Sequence, residues 1–168
     1  MNDKLYRLLL EYLKDSSRSD RELAKILGVS QPTISRMRAK LLKDGVIHHF
    51  SACPDFAKMG YEILAFSLVK FNMSEVLKDY GAVVKKARCW VETCSEIVFD
   101  SRAEGMGVDV VSVSLHRSYA EYKKFLTKSK KVWGNLLIEV NFVLVDVKGG
   151  INKPFSFKYL ARPKNEVN

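Results

Sequence analysis

Between Gln31 and Lys43 the chain carries four cationic side chains, Arg36, Arg38, Lys40 and Lys43, and no acidic one. Gln31, Thr33 and Ser35 are interleaved with them. These residue types do one kind of chemistry well. Lysine and arginine neutralise phosphates and release counterions, while amides, hydroxyls and guanidinium groups match the donor and acceptor pattern of base edges in a major groove. No Ser/His/Asp grouping, phosphate-binding glycine loop or carboxylate pair suggests catalysis instead.

The basic segment needs a helix to present it. Ile34, Met37 and Leu41 recur at i, i+3 and i+7, so they form the buried stripe and leave Gln31, Thr33, Ser35, Arg36, Arg38 and Lys40 mostly outward. Ser30 is expected to cap this helix. Pro32 costs little there, because first-turn amides have no intrahelical carbonyl to bond. Two further helices precede it. Leu5, Leu8, Leu9, Tyr12 and Leu13 have helical spacing, and Ser19 with Glu22 reads as a capping box opening a short helix with Leu23, Ile26 and Leu27 inward. Gly28 ends that helix where a left-handed residue is needed. After Gly45, "VIHHFSACPD" reads as a short strand and loop, a wing, with His48 and His49 facing opposite ways, one buried and one solvated.

Composition supports a polyanionic partner. The formal net charge is +9 in 168 residues, with 47% hydrophobic and 28% charged residues, the balance of a folded soluble protein. The apolar runs fall short of the roughly 20 residues a membrane helix needs, and no signal peptide is evident, so a cytoplasmic location is expected. Cys53, Cys89 and Cys94 are odd in number and form no C-x-x-C pair, which points to reduced thiols with no metal and no cofactor.

The remainder reads as a second domain. "YEILAFSLVKF" is a strand apolar on both alternating faces, and Ser74 opens a helix with Val76, Leu77, Tyr80, Val83, Val84 and Ala87 on one face. "CWVETCSEIVFDS" and "VDVVSVSLH" read as strands around the "RAEGMG" turn. Ser118 and Glu121 cap a helix whose inner face is Tyr119, Tyr122, Leu126 and Trp133, and "LLIEVNFVLVDV" is the fourth strand. The order is the ferredoxin-like βαββαβ unit. The fold class is therefore α+β: a winged helix-turn-helix over 1–53, a linker over 54–60, a ferredoxin-like domain over 61–150, and over 151–168 an edge strand at "FSFKY" with a frayed tail. Helices cover one sheet face, and a second copy of the chain is the simplest cover for the other.

A winged helix-turn-helix followed by βαββαβ resembles the Lrp/AsnC, or feast/famine, family of transcription regulators, most strongly in "RSDRELAKILGVSQPTISRMRAKLLKDGVI". The resemblance implies a dimer or higher oligomer formed through the second domains, bound to double-stranded DNA at partly symmetric sites. The expected DNA-contacting set is Ser19, Ser30, Gln31, Pro32, Thr33, Ser35, Arg36, Arg38, Lys40 and Lys43, with His48 and His49 on the wing. Gln31, Ser35 and Arg36 suit base edges, whereas Ser19, Lys40 and Lys43 suit the backbone. Many members carry a glycine three residues before the aspartate at the third strand. Here "GMGVD" keeps Asp109 and has Met106 in that place, so the resemblance names no effector residue. Two other readings stand beside this one. Siroheme decarboxylases resemble the same architecture, and His116 is the residue that would correspond to theirs. A helix-turn-helix also serves as a protein-interaction module.

Overall fold

The computed structural model describes residues 1–161, and the frayed tail expected beyond them lies outside the described residues. The chain divides into two units, residues 1–53 together with the segment from Lys153, and residues 54–152.

The first unit is built on three helices: α1 (Asp3–Lys14), α2 (Asp20–Leu27) and α3 (Gln31–Lys43). Asn2 caps α1 by accepting from the Leu5 amide at 2.9 Å. In the box that starts α2, the Ser19 amide donates to Glu22 Oε2 at 2.8 Å and the Glu22 amide to Ser19 Oγ at 3.3 Å. Gly28 leaves α2 at φ +65°, and Leu5, Leu8, Leu23, Leu27, Ile34 and Leu41 close the core with Val29, Met37 and Ile47 packed around it. Ile26, expected inward, is exposed, because Leu23, Ala24 and Leu27 already fill the buried stripe of so short a helix.

The wing forms no strand. Among the described residues no strand pairs with 46–53, and the Val46 and Ile47 amides instead both donate to the Leu41 carbonyl, tying the segment to the end of α3. Strand alternation therefore does not apply, and His48 and His49 are both exposed. The edge strand expected at "FSFKY" is also absent: Phe157–Leu160 is a single 3-10 turn packed against α1, and the Phe155 carbonyl accepts from the Cys53 thiol at 2.8 Å.

The second unit contains β1 (Ile63–Phe71), α4 (Met73–Val76), α5 (Tyr80–Thr93), β2 (Ile97–Arg102), β3 (Val110–His116), α6 (Tyr119–Trp133) and β4 (Leu137–Asp146). All neighbours pair antiparallel in the order β2-β3-β1-β4. Four expectations differ. Residues 54–60 are not a free linker, since Phe56 and Ala57 pack on Leu64, Val113 and Leu115 and a turn closes from the Tyr61 amide to the Phe56 carbonyl. Cys89–Thr93 is the last turn of α5, held there by burial of Trp90, while the strand starts only at Ile97. Cys89 is thus exposed on a helix and Cys94 buried at its end. On α6 the buried residues are Tyr122, Phe125 and Trp133, with Leu126 half-buried and Tyr119 exposed. Leu77, Tyr80 and Val84 are likewise exposed.

The two sheet faces differ in chemistry. Under the helices, Trp133 meets Phe71 and Trp90 edge-on at centroid distances of 5.7 and 6.3 Å, and Phe125 and Cys94 complete the cluster. On the other face a row crosses all four strands: Phe99 beside Val113, Val113 beside Phe66, Phe66 beside Val143. Its outer members, Phe99 and Val143, are each 53% exposed.

His116 sits at the end of β3, 1% exposed, between Tyr122 and Phe125 of α6, sharing a 2.9 Å hydrogen bond between its Nε2 and Ser114 Oγ. Burial holds its pKa below the ordinary 6.5, against the opposing pull of Glu96 and Glu121. The folded chain keeps the ring neutral where the unfolded chain binds a proton. Stability is then full above pH 6.5 and falls as the pH drops through that value toward the folded pKa. Urea midpoints should decrease across this window, and His116→Gln should flatten the decrease. An equal pH dependence in the variant would remove His116 as its cause.

Candidate nucleic-acid interface

Helix α3 is fixed from beneath. Ile34 and Leu41 are fully buried, Met37 packs beside them, and Pro32 occupies the first turn as expected. Ser30 stands at the N-cap, but its hydroxyl does not bond a first-turn amide. It pairs instead with Thr33 Oγ1 at 2.8 Å, while its carbonyl accepts from the Thr33 and Ile34 amides. The positive end of the helix therefore keeps no side-chain cap, and two hydroxyls stand beside it, an arrangement suited to an anion.

The outward residues separate into two groups. Gln31, Ser35, Arg36 and Lys43 are exposed, and Arg36 only leans back on the Pro32 carbonyl through a 3.4 Å contact. Lys43 has no ion pair among the described residues. Arg38 and Lys40 are engaged within the protein. Arg38 Nη1 meets Asp20 Oδ1 at 2.7 Å, and Lys40 pairs with Asp44 at 2.8 Å one turn on. The Lys40 pair is open to solvent and weak. The Arg38 pair is tighter, with the Asp20 side chain only 13% exposed. It joins the start of α2 to the middle of α3, beside the buried Tyr12, whose phenol is pushed up chiefly by burial, with Arg38 opposing. Ser19 is committed to its capping box, which pulls the Glu22 carboxyl below its usual range through hydrogen bonds from Ser19.

Three further residues bear on this face without any signal in the expected contact set. Asp20 was not expected to orient Arg38, and the 18-residue separation leaves no periodic signal for it. Arg21 and Lys25 are exposed one turn apart on α2. Their i, i+4 cationic spacing, with Glu22 drawn into the cap, was the available clue.

In the second unit Asp109 is occupied structurally. Its carboxylate accepts from the Phe71 amide at 2.7 Å, and its own amide donates to the Val69 carbonyl at 2.8 Å, fastening the β2–β3 turn to β1. Met106 lies at the tip of that turn, 95% exposed at φ +52°. His116 is sealed among aromatic rings, without the access a substrate-binding histidine needs. Among the described residues no group of three or more His, Cys, Asp or Glu is placed to hold a metal ion, and no helix is long and apolar enough to cross a membrane.

Residues 1–48 match the family model described as winged helix-turn-helix DNA-binding. Over most of its length the chain superimposes on an AsnC family transcriptional regulator from Agrobacterium tumefaciens, with a TM-score of 0.67, 23% identity, and coverage of 86% of this chain and 90% of that one. The chain has the Lrp/AsnC fold. AsnC of Escherichia coli superimposes equally well, with a TM-score of 0.67, 21% identity, and coverage of 86% and 92%. In sequence, the chain is 39% identical over 77 residues to an uncharacterised HTH-type transcriptional regulator of Pyrococcus furiosus, covering 45% of this chain and 52% of that protein. The match to one from Pyrococcus horikoshii is 29% identical over 147 residues, covering 87% and 93%. The alignment thus spans about half the length of the first of these relatives.

Proposed function

We propose that this protein is a sequence-specific DNA-binding transcription regulator acting as a dimer. The observation that carries the reading is the division on α3: one face is held by Ile34, Leu41 and the Asp20–Arg38 pair, and the other leaves Gln31, Ser35 and Arg36 open. A helix held rigidly from behind presents its donors at fixed positions, which direct readout requires. Gln31, Ser35 and Arg36 read base edges. Ser30, Thr33, Lys43 and the exposed His48 and His49 meet phosphates, and Pro32 lies against the backbone. Arg38 acts as a positioning residue, and Lys40 contributes only after leaving Asp44. In this division Ser19 shapes the start of α2 instead of touching DNA.

The sheet row ending in Phe99 and Val143 supports dimerisation, because burying it against a second copy removes two half-exposed apolar side chains per chain from water. A twofold pair would set two α3 helices about 34 Å apart on a duplex.

Selection of bound fragments from genomic DNA at stated salt tests the function directly. Recovery of a defined, partly symmetric site is expected, and random recovery would sink the proposal. With that site in hand, Arg36→Ala should lose about 1–3 kcal/mol of discrimination against scrambled DNA. Equal weakening on both DNAs would reassign Arg36 to phosphate. Lys43→Ala should weaken binding on all sequences and flatten the salt dependence by about 0.9 in slope for one phosphate. Sedimentation of Phe99→Asp should show a monomer where the parent is a dimer, and an unchanged mass would exclude that face.

A further inference from the structure

Charge in the second unit is not spread evenly. Helices α5 and α6 carry eight lysines and arginines, Lys85, Lys86, Arg88, Lys123, Lys124, Lys128, Lys130 and Lys131, against two acidic residues, Glu92 and Glu121. The rest of residues 54–152 reverses the balance, with six basic residues and ten acidic ones. The helical layer is therefore a positive plate on an otherwise acidic domain, and the recognition helix has no part in it.

All eight basic side chains are exposed, and none forms an ion pair among the described residues. Of the six other cations in the same unit, three, Lys58, Lys78 and Lys148, each sit within 3.7 Å of a carboxylate. Only two of the eight rest on rings: Lys86 lies 5.8 Å from the Trp133 centroid and Lys128 5.3 Å from that of Trp90. On α6 the side chains of Lys123, Lys124, Thr127, Lys128 and Lys131 line one shallow open groove. Their spacing runs along a single helix face for about 12 Å at 1.5 Å per residue. Duplex phosphates advance about 3.4 Å per strand along the axis, so such a row matches three or four of them. An unneutralised row of this density repels itself and is relieved by a polyanion.

We infer that the α5–α6 face is a second, sequence-independent binding surface for the phosphate backbone of duplex DNA. It adds affinity without adding discrimination, since ammonium groups on flexible stems meet phosphates as point charges. The inference builds on the proposal that the chain binds DNA through α3, and it concerns a separate set of residues.

The test uses the full chain with Lys123, Lys124, Lys128 and Lys131 all changed to glutamine, the same four changed to arginine, and Arg36→Ala alone. Binding to the selected site and to a scrambled duplex of equal length is measured across a salt series. For the glutamine variant the slope of log affinity against log salt should shrink by about 2–4, at roughly 0.9 per phosphate, with affinity falling at least tenfold on both duplexes and their ratio unchanged. The arginine variant should retain the parent slope, which separates charge from misfolding. A parent-like slope in the glutamine variant, alongside lost discrimination in Arg36→Ala, would overturn this surface and leave the α3 reading intact. A reduced slope with no sequence preference in any protein would overturn the α3 reading and leave the surface standing. Loss of binding to single-stranded RNA or to vesicles of anionic phospholipid, with duplex affinity retained, would overturn the assignment to duplex DNA.

Discussion

Ile34→Ala should unfold the first unit at ordinary temperature while the second unit stays folded. Ile34 is fully buried and touches all three helices' core, so truncation removes its transfer free energy and leaves a cavity that rigid neighbours fill poorly. The expected cost is about 2–5 kcal/mol. A unit of this size holds on the order of 3–10 kcal/mol, so the loss takes most of it. Calorimetry should show the parent's lower transition shifted or gone with the other retained, and DNA binding should vanish with it. Two transitions that move together would contradict the independence of the units' cores.

Trp133→Ala should do the converse. Trp133 closes the space between α5, α6 and β1 through its contacts with Trp90 and Phe71, and is 7% exposed. Removing an indole there costs about 3–5 kcal/mol. The second unit should melt first, and a dimer held by its sheet face should dissociate, while near-UV dichroism loses the tryptophan bands. Because a lone reader makes half the contacts, DNA affinity should fall even though α3 is untouched. A variant that melts like the parent would show that the cavity collapses around the missing ring.

How legible these units were in advance depends on whether each signal was local. The three helices of the first unit were readable because their caps, Asn2 apart, and their apolar spacing sit within a turn or two: Ser19 with Glu22, Gly28, and Ile34 with Leu41. The βαββαβ order was readable for the same reason. The end of α5 was not, because "CWVET" mixes β-branched and aromatic residues that suit either state, and burial of Trp90 decides between them. On α6, Phe125 and Leu126 are neighbours of equal hydrophobicity, and only the position of the sheet selects Phe125. The site divided likewise. Exposure of Gln31, Ser35 and Arg36 followed from helical phase, whereas the use of Arg38 by Asp20 depends on a contact between separate helices.

The return of the segment around Phe157–Leu160 to α1 alters how the chain is best described. The first unit is not an N-terminal module followed by another. It is a parent domain interrupted by an insertion, and the inserted unit begins and ends at one corner, where Phe56 and Tyr61 share a cluster with Val145 and Val147 and the Val147 amide donates to the Glu62 carbonyl. Neighbouring ends are what insertions require. The two units are consequently joined by two covalent crossings instead of one. A protease that nicks the first crossing frees neither unit, and a gene shortened after residue 152 trims the first unit, not a dispensable tail.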